Sequence, residues 1–144
     1  MDNEFFKTIF SAVDKNEDLI LNAERYIWKN PETGFEEWKT SAYLEKAFEN
    51  LGYNLVKPGN IPGFYADYDT GIPGPKILLL GELDSVICRD HPEADPGTGA
   101  VHACGHNAQC AALLGIAAAL KEKGVSKGLC GGVRLCAVPA ECQR

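Results

Sequence analysis

No apolar run in this chain approaches the ~20 residues that span a bilayer. Its start, MDNEFFKTIF, has neither the basic stretch nor the small-residue cleavage site of a secretory leader. There is no basic stripe. The formal net charge is −6 and the isoelectric point about 5.0, so neither nucleic acid nor an anionic membrane is expected as a partner. No internal repeat, low-complexity tract or linker divides the chain, and no Cys-x-x-Cys pair is present. The cytosol is the expected compartment. In that reducing setting the six cysteines, at 88, 104, 110, 130, 136 and 142, read as buried small residues or metal ligands rather than disulfides. The glycines of segment 128–132 lack the spacing of a phosphate loop. What remains is 144 residues of ordinary globular composition, enough for one domain with its own core.

Local pattern predicts helices alternating with strands. Phe6, Ile9, Phe10, Val13, Ile20, Ala23 and Ile27 recur at three- and four-residue spacing. That predicts one long amphipathic helix or two short ones over 5–28, stopped by Asn30-Pro31-Glu32-Thr33-Gly34. A second helix is expected over 35–51, ended by Gly52. Phe64, Ala66 and Tyr68 alternate as in a half-buried strand, and 70–75 is a turn. The continuous apolar run 76–80 predicts a strand buried on both faces. Segment 89–100 is a polar loop, 107–123 a helix closed by Gly124, and 133–138 a third strand. Such alternation defines an α/β class, a layered sheet with helices on both faces.

Chemistry concentrates in VHACGHNAQC, 101–110, immediately before the apolar run AALLGIAAAL. Cys104 and His106 fall at or just before a helix N-terminus, where exposed N–H groups and the helix dipole favour a thiolate. Sulfur with imidazole nitrogen suits zinc and related divalent ions. Taken alone the pair fits a buried thiol as well as a ligand pair, and Glu82 and Asp84, at the end of the strand 76–80, fit solvated carboxylates. Their convergence separates the readings: Asp84, His102, Cys104, His106 and Glu141 all fall at one predicted edge of one sheet, where α/β folds place sites. His91 reads as surface, and Cys88, Cys110, Cys130 and Cys136 as core.

Four stretches, NPETGFEE (30–37), GELDS (81–85), HACGHN (102–107) and VPAE (138–141), together resemble the dimetal amidohydrolases and peptidases related to aminoacylase, carboxypeptidase and N-acyl-amino-acid hydrolases. HACGHN, ending in Asn107, and GELDS are similar to the aminobenzoyl-glutamate hydrolase branch. The resemblance implies a zinc-exopeptidase-like catalytic domain, of which 1–144 would be the N-terminal portion. It implies hydrolysis of N-acyl or N-aroyl amino acids or small peptides, with zinc or manganese as cofactor. Cys104 and His106 would be metal ligands, Asp84 an orienting carboxylate and Glu141 the general base. His102 and Glu82 would lie behind the metal or against substrate; Glu82 stands where peptidase branches hold a ligating histidine. Relatives place a second, ligating Glu after the base, whereas this chain has Cys142. They also continue with further ligands and a lid domain that mediates homodimerisation. The expectation is therefore an incomplete hydrolase, with a non-catalytic remnant as the alternative. A cysteine hydrolase using Cys104 is disfavoured, since neighbours two apart rarely face each other.

Overall fold

The 5–28 pattern breaks at Asn16, whose side chain turns back to donate to the Ala12 carbonyl at 2.8 Å. A backbone bond from Asn16 N–H to Val13 at 2.9 Å closes the turn. Two helices result, α1 (Asn3–Lys15) and α2 (Glu17–Trp28). The computed structural model describes residues 3–140. Helix α3 (Trp38–Asn50) starts three residues later than its periodicity suggests, because Gly34 and Phe35 both take positive φ, which no helix continues. After it come β1 (Leu55–Val56), β2 (Phe64–Asp69), β3 (Lys76–Glu82), β4 (Val86–Ile87), β5 (Ala100–Val101) and α4 (His106–Lys121). A short 3-10 turn, Ser126–Gly128, leads into β6 (Gly132–Val138). Strands β1, β4 and β5 have two residues each, too few to register as a period.

The main sheet has the order β1-β2-β6-β3. β2 runs antiparallel to β6, pairing Ala66 with Leu135, and β3 runs parallel to it, pairing Leu79 with Leu135 and Glu82 with Val138. One face carries Phe64, Ala66, Leu135 and Ala137, all buried, and α4 and α3 pack there. Phe48 of α3 meets Phe64 edge-on at 5.0 Å and Tyr53 at 5.5 Å. The Tyr53 hydroxyl donates to the Ala117 carbonyl of α4 at 2.8 Å, and burial pushes its pKa up. α2 and α1 pack against α4, with Ala23 and Ile27 fully buried.

The other face carries Tyr65, Asp67, Leu78, Leu80, Arg134 and Cys136. Arg134 forks onto Asp67 at 2.8 and 2.7 Å, which holds the Asp67 carboxyl below its usual range. The α/β layering is as expected, but among the described residues the second helical layer on this face is not formed. Nor is the run 76–80 buried on both faces. β3 pairs only with β6, so it lies at the sheet edge, and Ile77, Leu78 and Leu80 are 55, 56 and 57% exposed. Of the cysteines expected in the core, Cys110 alone is buried. Cys88 and Cys130 sit exposed just outside strands and Cys136 faces the uncovered side of β6. Among the described residues no helix is long and apolar enough to cross a membrane.

Candidate active site

Because β3 and β6 are parallel, their C-terminal ends lie side by side, and a bond from the Leu83 N–H to the Val138 carbonyl at 2.9 Å carries the pairing past the strand. The first turn of α4 crosses over this edge. It comes close because position 81 is glycine: a Cβ there would meet Leu113 Cδ2 at 3.3 Å and the Cys110 Cα at 3.6 Å. The Cys110 thiol donates to the Glu82 carbonyl at 3.0 Å, and burial, with Asp84 and Glu82 nearby, raises its pKa to about 12. This thiol is therefore inert and structural.

His106, the first residue of α4, fits between the two strand-end carboxylates. Its Nδ1 lies 3.1 Å from the Asp84 carbonyl and 2.8 Å from Asp84 Oδ1. The carbonyl contact has hydrogen-bond geometry, whereas the carboxylate oxygen is off the donor's line and has no hydrogen-bond partner. A carbonyl can only accept, so Nδ1 carries the proton and Nε2 presents its lone pair. Nε2 is 3.0 Å from Glu82 Oε2. Two acceptors at that distance repel unless a proton or a cation lies between them.

Other buried groups around this edge are unsatisfied. Both oxygens of Asp84, both ring nitrogens of His102 and Glu37 Oε2 are buried without a partner. Burial and, second, the repulsion of His106 lower the pKa of His102 to about 4, so the ring is neutral. Burial raises the pKa of Glu37. Buried carboxylates are normally paired or bound to metal, so oxygens and imidazoles left without donors fit a divalent cation chemically. The ligand set is not complete in the described part, however: among the described residues no three His, Cys, Asp or Glu side chains are arranged to hold an ion. Cys104 lies exposed in the turn before α4. Glu141 and Cys142 lie outside the described residues. The structure thus brings Glu82, Asp84 and His106 together, with His102 buried four residues before His106. Glu37, which no sequence pattern singled out, also reaches this edge; its only sequence signal was membership of NPETGFEE.

Solved structures share this arrangement. The Bacillus subtilis YXEP protein, a dinuclear metal binding peptidase from the M20 family, superposes with a TM-score of 0.75 and 26% identity over 89% of this chain and 36% of its own. The fold is thus that of an α/β catalytic domain of metallopeptidase type. No family model matches the chain. In sequence, the N-acetyl-L-cysteine deacetylase of Bacillus subtilis is 34% identical over 128 residues, covering 87% of this chain. The Escherichia coli p-aminobenzoyl-glutamate hydrolase is 32% identical over 147 residues, covering 96%. The chain belongs to the M20 family of amidohydrolases and peptidases. It spans 30% of the length of each of these two curated relatives.

Proposed function

We propose that this chain is the N-terminal portion of a cytosolic amidohydrolase catalytic domain that cleaves the amide bond of N-acyl or N-aroyl amino acids or small peptides. The observation that carries this is the meeting of Glu82, Asp84 and His106 at one sheet edge, with the Asp84 carboxylate buried and lacking any donor. The named activities of the two sequence relatives, on N-acetyl-L-cysteine and p-aminobenzoyl-glutamate, support a small N-acylated amino acid as substrate. Cys104 and His106 would hold a divalent ion, zinc or manganese, with Cys142 at the place of a further ligand. When bound, the ion supplies Lewis-acid polarisation of the scissile carbonyl and lowers the pKa of water.

The protein's own groups do the rest. The Asp84 carbonyl keeps the proton of His106 on Nδ1, which leaves Nε2 as the donor atom, a tuning that outer partners commonly provide. Glu141 takes the proton of the attacking water and returns it to the leaving amine nitrogen. His102, neutral and partnerless, and Glu82 flank ligand or substrate. The test is elemental analysis of the purified chain: bound divalent metal in the wild type and none after Cys104→Ala with His106→Ser. Wild-type metal content in the double variant overturns the ligand assignment.

A second reading is favoured by one observation: no three donors gather among the described residues, where a catalytic zinc site generally has three protein ligands. On this reading the 144-residue chain binds metal weakly and does not turn over by itself. An assay against N-acyl and N-aroyl amino acids with added zinc or manganese separates the two. Metal-dependent turnover that Glu141→Ala abolishes establishes a working hydrolase, and its absence favours the remnant.

A further inference from the structure

Glu37 precedes α3 and is completely buried, yet its carboxylate does not cap that helix. Oε1 accepts the N–H of Phe35 at 2.9 Å and also, from 103 residues along the chain, the N–H of Ala140 at 3.3 Å. Oε2 has no partner. Phe35 reaches its position through a left-handed backbone, φ +64°, beside Gly34 at +35°, a conformation that a non-glycine residue adopts only where the surroundings enforce it. The same loop grips the other strand end. The carbonyl of Glu32 accepts the N–H of Ser85 at 2.7 Å and its hydroxyl at 2.8 Å. The Glu32 carboxylate meanwhile accepts the N–H groups of Lys39 and Thr40 and the Thr40 hydroxyl, at 2.9 to 3.1 Å, which fastens the loop to α3.

The loop 30–37 therefore ties together the two chain ends that leave β3 and β6, one through Ser85, next to Asp84, and one through Ala140, next to Glu141. We propose that Glu37 is a positioning residue: by holding the Ala140 N–H it sets where the chain at Glu141 stands relative to Asp84 and His106. The task of Glu141 rests on the function proposed above; the tether does not. A purely local staple would need only the Phe35 bond. It gives no reason for a carboxylate to be fully buried, with one oxygen unsatisfied, in order to reach an amide from the far end of the chain.

Amide hydrogen exchange and ¹⁵N relaxation of the full 144-residue chain test this. In Glu37→Ala, protection at Ala140 is expected to fall by at least about tenfold more than at Leu135, as for loss of a charge-assisted hydrogen bond. The Glu141 amide becomes more mobile. Glu37→Gln, which keeps an acceptor at Oε1, restores most of the protection. Loss at Ala140 that merely matches Leu135, or no rescue by Gln, overturns the proposal. If Glu37→Ala does not fold, Glu37→Asp takes its place. One methylene shorter, it keeps the charge but withdraws from Ala140, so protection is expected with Gln and not with Asp; the reverse order refutes the tether. These readouts need no hydrolysis, so an inactive chain would count against the proposed function and leave the tether standing. In a metal-loaded, active protein, Glu37→Ala lowers kcat with little change in KM.

Discussion

His102 makes the protein's stability depend on pH in a way that can be calculated and checked. Its ring is 1% exposed, neither nitrogen has a partner, and its pKa is lowered from 6.5 to about 4 by burial, with a contribution from His106. Between those values the unfolded chain takes up a proton that the native protein refuses. Stability is therefore full above about pH 6.5 and declines as pH falls toward 4. At ~1.4 kcal/mol per pKa unit the whole window is worth about 3 kcal/mol, a large part of the ~5–15 kcal/mol that holds a domain together. Replacing His102 with Phe keeps a planar ring and removes the titration. Urea unfolding in EDTA from about pH 7 to 4.5 should show a wild-type stability that drops away from that of His102→Phe by about 1.4 kcal/mol per pH unit below 6.5. At pH 7 the two differ only by packing. Glu37 titrates with the opposite sign: burial raises its pKa, so its contribution falls as pH rises through its range, but it is present in both proteins and cancels. Parallel stability curves for the two proteins would refute the buried, neutral His102.

Gly131 holds φ +77° and packs so closely on the turn before β3 that a methyl group would run into the Pro75 carbonyl oxygen. Gly131→Ala should thus cost at least about 2 kcal/mol in thermal or urea unfolding. Phe48→Ala empties the contact with Phe64 and Tyr53 and should cost about 3–5 kcal/mol by the same measurement. The edge strand β3 exposes Ile77, Leu78 and Leu80, so the wild type is expected to self-associate in light scattering, and Leu78→Lys with Leu80→Lys to be monodisperse. A monodisperse wild type would refute that. Cys142→Glu should tighten zinc binding in calorimetry without producing turnover, since the harder carboxylate restores only one ligand.

Element type was legible wherever a period persisted over several turns. The three- and four-residue spacing from Phe6 to Ile27, the alternation Phe64, Ala66, and the parallel strand ends that bring Asp84 beside His106 all follow from local pattern plus the rule that α/β sites form at strand C-termini. HACGHN pointed to the right edge of the sheet because a Cys-x-His pair at a helix start is informative within ten residues. Strand order is a different kind of information. Residues 76–80 have the same apolar character in the centre of a sheet or at its rim, and only the pairing of β3 with β6 alone exposed Leu78 and Leu80. Cys88, Cys130 and Cys136 were likewise assigned to the core by the company they keep in sequence, while their exposure depends on which face the helices cover. Glu37 was the least legible of all. Its surroundings in sequence are polar, and its burial arises when the fold brings Ala140 back across 103 residues. That closure depends on how the whole chain packs, and no local spacing records it.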